Sequence, residues 1–269
     1  MTVKSLARGL TKRVLRDAVA TLGPLQLVDD GPRILCYHGV SNDPPDEWSV
    51  TPAQLSEQMK IIAGEGSPVS LPQIVSWLLD ETPLPERAIA VTFDDGYQDV
   101  YRYAAPILAQ HRVSATAFVI SGLCDGLARD VSYQPSRPML SWDEVRALGQ
   151  LGWTIGSHTL SHPILSQQSD DDSRRELVDS RRRLTQMLGH EVTLLAYPYG
   201  TRRTVSSREH RLAKAAGYQA AFLDAIGSVS RRCDRFALPR CKVLGTDSLR
   251  VFRSSLRGQL DLWRRVEDR

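Results

Sequence analysis

Past residue 30, short apolar runs of β character alternate with helical patterns to the end of the chain, and this alternation restricts the architecture more than any other feature. The runs predict strands over 34–37, 88–93, 115–120, 153–156, 194–197 and 219–223. Helices are expected between them. Thr51 followed by Pro52 reads as an N-cap and N1 pair opening a helix to about residue 63. A second covers 71–79, and Ser141 with Glu144 forms a capping box for a third. Stretches 174–188 and 208–216 complete the set, stopped by Gly189 and Gly217. Strand-then-helix order of this kind gives an α/β fold with a mostly parallel sheet under helices. A chain of 269 residues, with no repeat or long linker, is large enough for one such domain. Segments 43–46 and 121–138 read as loops.

In parallel β/α architectures, sites gather where strands end at their C-terminal edge. Four of the apolar runs are followed there by polar or ionisable residues: Tyr37-His38-Gly39, Asp94-Asp95-Gly96-Tyr97, Ser157-His158-Thr159-Leu160-Ser161-His162 and Pro198-Tyr199-Gly200. Adjacent carboxylates at a strand end point in different directions, because side chains alternate in extended chain, so one suits a metal and the other a proton. Either aspartate could also simply cap a helix. Histidines four apart match a spacing used by zinc sites. Pro163 keeps His162 out of a helix interior, so the pair reads as a turn at a strand end. One aspartate with two histidines makes a set for a divalent metal with positions left open, which is a catalytic layout. Such an ion lowers the pKa of a water toward ~7 and polarises a carbonyl.

Taken in order, Thr92-Phe93-Asp94-Asp95-Gly96-Tyr97, Leu140-Ser141-Trp142-Asp143-Glu144, the His158–His162 motif and Tyr197-Pro198-Tyr199-Gly200 resemble the polysaccharide deacetylase (NodB homology, carbohydrate esterase) family. The resemblance covers most of residues 33–250. It implies a distorted (β/α) barrel and a metal-dependent hydrolase that removes N-acetyl groups from a carbohydrate, releasing acetate. It also implies roles: Asp94 as base, Asp95, His158 and His162 as metal ligands, and the Tyr199 N–H as oxyanion donor. Zinc suits these ligands, with cobalt and nickel as alternatives.

Two family features are missing. The arginine that many relatives carry two residues before the third-motif proline is Ala196 here, and no late Leu-x-His motif supplies an acid. Cys36-Tyr37-His38-Gly39-Val40, with Trp48-Ser49-Val50-Thr51-Pro52 and Gln58-Met59 after it, resembles the poly-N-acetylglucosamine deacetylase subgroup, which places the acid early. The resemblance therefore assigns the acid to His38. Leu238-Pro239-Arg240 resembles a late arginine of that subgroup, so Arg240 either orients Asp94 or sits on the surface. Tyr97 is a further candidate for substrate contact. A catalytically silent glycan-binding domain, an O-acetyl esterase and another C–N hydrolase remain the competing readings.

Charge narrows the partners. With 34 basic and 31 acidic side chains there is no concentrated basic face for nucleic acid. No run approaches the ~20 apolar residues of a membrane span, and none follows the basic N-terminus as a secretory signal requires. A cytoplasmic location with reduced thiols is expected for Cys36, Cys124, Cys233 and Cys241. Val3, Leu6, Ala7, Leu10, Val14, Ala18 and Leu22 recur at helical spacing among arginines and lysines. That stripe reads as a basic amphipathic helix over 3–22, which packs on the domain or docks peripherally on an anionic membrane. The expected division is residues 1–30 as this segment and 31–269 as one domain.

Overall fold

The computed structural model describes residues 31–42, 47–79, 82–124 and 137–263. The helix expected over 3–22, the division at residue 30, the 43–46 loop and most of the 121–138 loop lie outside them. The strands are β1 Arg33–Tyr37, β2 Gly39–Val40, β3 Ser49–Val50, β4 Ser67–Pro68, β5 Ala88–Phe93, β6 Ala115–Val119, β7 Thr154–Ser157, β8 Leu194–Ala196, β9 Ala220–Phe222 and β10 Cys241–Lys242. The helices are α1 Pro52–Glu65, α2 Leu71–Leu78, α3 Ala105–Gln110, α4 Trp142–Gln150, α5 Asp170–Leu188, α6 Ser207–Ala215 and α7 Leu249–Leu256. All six predicted strands form, within one residue at each end. The added strands β2, β3, β4 and β10 are two residues long, too short to carry a period.

Helix starts follow local chemistry. Capping boxes close on Thr51 with Gln54, Ser70 with Gln73, Ser141 with Glu144 and Ser206 with Glu209. Helix α5 begins at Asp170, earlier than periodicity indicates, because Ser169 caps it and three aspartates in its first turn favour the helix dipole. Helices α3 and α7 have no counterpart among the expected elements. Pro106 falls in the first turn of α3, and the preceding turn, Val100–Ala104, widens to π-helical spacing with the Ala105 N–H on Val100 O.

The main sheet runs in the order β10-β1-β5-β6-β7-β8-β9, with β4 attached to β5 and every pairing parallel. Side chains alternate across it. Ile34, Ala90, Phe118, Ala196 and Phe222 face inward, where Ile74 and Val75 of α2 plug one end. Leu35, Val91, Phe93, Ala117 and Val119 face outward onto α1, α3 and α4. Both faces are buried, so these strands are apolar throughout. Gly156 makes room inside, since a Cβ there would lie 2.4 Å from the Phe118 ring. The sheet curls until the stretch 238–242 joins its two ends. Leu238 hydrogen-bonds β9 through Ala221 O and the Leu223 N–H, and Cys241 pairs with Leu35 of β1. The result is the expected distorted (β/α) barrel. No helix among the described residues is long and apolar enough to cross a membrane. All four cysteines are free.

Candidate active site

Inward-facing residues of the barrel strands carry even numbers, and the same parity continues past the strand ends. It brings His38 after β1, Asp94 after β5, His158 after β7, Asp224 after β9, and Lys242 of β10 to one mouth, a cavity of about 550 Å³. Arg240, on the same parity, lies fully buried beneath it.

Asp94 is fixed from below. Arg240 donates from Nη1 to Oδ1 and from Nη2 to Oδ2, each at 2.6 Å. The guanidinium is itself held, with Nε on Leu223 O at 3.0 Å and Nη1 on Thr92 Oγ1 at 3.1 Å. Of the two places open to Arg240 from sequence, the structure selects the buried one. Burial alone would push the Asp94 carboxyl up; the Arg240 charge reverses this and holds it down at about 2. The Cys36 thiol adds a weak contact at 3.5 Å to Oδ2.

Asp95 departs from the expected geometry. The chain does not stay extended: Asp95 has φ +70° and Gly96 φ +80°, so a left-handed turn, rather than strand alternation, separates the two carboxylates. The turn sends Asp95 toward the histidines. Its Oδ1 lies 3.4 Å from His158 Nε2 and 3.4 Å from His162 Nε2. Atoms bonded at about 2.1 Å to one tetrahedral ion sit about 3.4 Å apart, so the three ligands fit a divalent metal. His158 Nδ1 lies 2.8 Å from Ala196 O, which can only accept; Nδ1 therefore carries a proton, and Nε2 is the nitrogen turned toward Asp95. Burial opposes charge on all three groups. The histidines nevertheless hold Asp95 well below the usual carboxylate range, and the two aspartates raise His158, while burial lowers His162. Two ionised carboxylates at one buried spot favour a cation.

His38 lines the cavity with its ring 5.3 Å from that of Trp48. Its Nδ1 is buried and makes no hydrogen bond among the described residues. Tyr199 adopts φ +58°, and its N–H has no protein acceptor among the described residues. Its side chain is exposed at the rim, against His162 with ring centroids 4.9 Å apart. Gly200 allows the turn, because a Cβ there would meet the Asp224 N at 2.6 Å. Tyr97 is buried under the Arg137 guanidinium, 4.2 Å from its centroid, and forms one wall. Seven of the eight residues singled out in the sequence thus line one mouth, and Arg240 holds Asp94 from beneath it.

The sequence did not mark every residue of the cavity as a site candidate. Trp48, Arg137, Asp224 and Lys242 line the cavity, with Lys242 Nζ 2.5 Å from Asp224 Oδ2 and 4.9 Å from the Trp48 ring. The inward parity that places Asp94 would have flagged Asp224 and Lys242. A second grouping, Cys36 with His38 and Asp94, also has ligand atoms within 4.8 Å. It does not suit a metal, since burial raises the Cys36 thiol and Arg240 occupies both Asp94 oxygens. A larger cleft of about 780 Å³, lined by Pro72, Trp153, Leu188 and His190, holds none of the eight residues.

A mouth of this kind on such a barrel is the layout of a metal-dependent hydrolase of the NodB type. Comparison with known proteins agrees: the sequence model of the polysaccharide deacetylase family matches residues 81–221. The chain belongs to the polysaccharide deacetylase family. It is 27% identical over 211 residues to YxkH of Bacillus subtilis (strain 168), whose name places it among polysaccharide deacetylases, covering 78% of this chain and 70% of that one. Over 77 residues it is 39% identical to the Escherichia coli (strain K12) poly-beta-1,6-N-acetyl-D-glucosamine N-deacetylase, 28% of this chain and 12% of that one. In fold it resembles the Streptococcus pyogenes deacetylase PplD, with TM-score 0.74, 24% identity and coverage of 84% of this chain and 98% of the other. IcaB from Ammonifex degensii gives TM-score 0.73 at 23% identity, covering 85% and 98%. Asp94, Asp95, His158, His162 and Tyr199 fall inside the matched stretch; His38 and Arg240 fall outside it.

Proposed function

We propose that this protein removes N-acetyl groups from an N-acetylated carbohydrate, with Asp95, His158 and His162 holding zinc. The observation that carries the reading is the pairing of an Arg240-held aspartate with a three-ligand cluster one residue away. A carboxylate held at about 2 takes a proton only from an acidified water, and a divalent ion at Asp95, His158 and His162 would supply that acidity and polarise the acetyl carbonyl. Asp94 is the base, kept ionised and aimed by Arg240. The Tyr199 N–H, unspent on the protein, is the donor for the developing oxyanion. His38 lines the same cavity and protonates the departing amine. Acetate and a free amino sugar leave.

The test is acetate release from a panel of N-acetylated oligosaccharides. Chelator should abolish it and added zinc or cobalt restore it. Release from acetyl esters alone would make the protein an esterase, and binding of the oligosaccharides without release would make it a lectin-like domain. His38→Ala is expected to keep metal and fold but slow amide turnover by ~10²–10⁴-fold. The loss should shrink on an activated acetyl ester, whose leaving group needs no proton. Equal losses on both substrates would show that His38 shapes the site without donating.

A further inference from the structure

We propose that Glu176 is a positioning residue of the metal site, a role that rests on the reading of Asp95, His158 and His162 as ligands. The loop that carries the two histidines is conformationally costly. Thr159 has φ +66° and His162 φ +64°, left-handed values that side chains other than glycine rarely adopt. Pro163 follows and donates nothing to hold the turn. The loop is held from two sides: the Ser121 and Gly122 N–H groups donate to Thr159 O and Leu160 O, and α5 engages the N–H groups between the histidines. Glu176 Oε2 accepts the backbone N–H groups of Leu160 at 3.0 Å and Ser161 at 2.8 Å, and Oε1 accepts the Ser161 hydroxyl at 2.6 Å. Both carboxylate oxygens are thus spent on two of the three residues between the histidines, Leu160 and Ser161.

One turn further along the same helix face, Ser180 repeats the arrangement at the loop's start. Its hydroxyl lies 2.8 Å from Ser157 Oγ, which in turn accepts the Thr159 N–H at 3.2 Å. A helix that packs only for burial presents apolar side chains on that face. Here Ser180 is fully buried against the Ser157 and Ser121 hydroxyls, and Glu176, half-buried, meets the loop's own N–H groups. Outer partners of metal ligands set ligand orientation, and their loss commonly weakens metal binding by ~10–100-fold. Glu176 does this through the backbone, aiming both imidazoles at once.

The experiment is zinc affinity by competition with a chromophoric chelator, alongside thermal unfolding of the metal-free proteins. Glu176→Ala should raise the Kd for zinc by ~10–100-fold. Glu176→Gln should recover most of that loss, since its amide oxygen can accept the same two N–H groups. Leu184→Ala, a core truncation elsewhere on α5, serves as the control for a general loss of stability. A Glu176→Ala affinity equal to wild type overturns the proposal. So does an equal loss in Leu184→Ala, which would make the effect one of fold stability. If Glu176→Ala does not fold, Glu176→Asp, one methylene too short to span the loop, replaces it under the same outcomes. A wild-type protein that takes up no zinc, or a His158→Ala variant that binds as tightly as wild type, would instead sink the ligand assignment, and the role of Glu176 with it.

Discussion

Asp94→Asn is expected to lower turnover by about 10⁴-fold while metal stays bound, the upper end of what a lost general base removes. The amide cannot accept a proton at neutral pH. The structure adds a second consequence. Both oxygens of Asp94 are engaged by a fully buried arginine, and asparagine would set an NH₂ group against one guanidinium N–H. Breaking a buried pair from one side costs about 3–5 kcal/mol, so the unfolding free energy has to be measured beside turnover. Asp94→Asn combined with Arg240→Met removes the stranded charge. Stability regained without turnover would isolate the proton-accepting role. Turnover close to wild type in folded Asp94→Asn would place the base elsewhere, and metal lost from Asp94→Asn but kept in Asp95→Asn would exchange the two roles. The pair also sets an acid limit. Asp94 is depressed below the ordinary value of ~3.9, so its stabilisation is complete above that pH and is lost as pH falls through about 2.

His158→Ala should lose both metal and activity, and His162→Ala likewise. The cluster holds three protein ligands among the described residues, so deleting one leaves two, fewer than catalytic zinc sites use. Elemental analysis gives the metal content directly. Thermal unfolding gives it independently, because a ligand that binds only the folded state raises the midpoint, and the variants should lose that response to added zinc. Full occupancy in either variant would remove that histidine from the ligand set.

The strands, most of the helices and the residues at the strand ends were legible in the sequence, because each is written in contiguous residues. A short, bounded apolar run over 88–93 predicts a strand, and whatever follows it must sit at the strand's C-terminal edge. Cap chemistry is equally local, as Thr51 with Gln54 and Ser141 with Glu144 show. Asp94, Asp95, His158, His162 and His38 could therefore be named before any fold was known. Their meeting could be expected, but not its geometry. The separation of Asp94 from Asp95 comes from a left-handed turn, and a residue other than glycine at positive φ carries no local signal.

Tertiary structure alone decided Arg240. From sequence it was as fit for the surface as for the site. It reaches Asp94, 146 residues away, because the stretch 238–242 spans from β9 to β1 and closes the barrel with Arg240 on the inward parity. Asp224 and Lys242 were settled in the same way, by strands that become neighbours only when the sheet curls, whereas Glu176 needed only α5 folding back on the loop 15 and 16 residues before it. Local periodicity reports which face of an element is buried; it does not report what that face will meet. That depends on sheet order and closure, and those are fixed by packing between segments far apart in the chain.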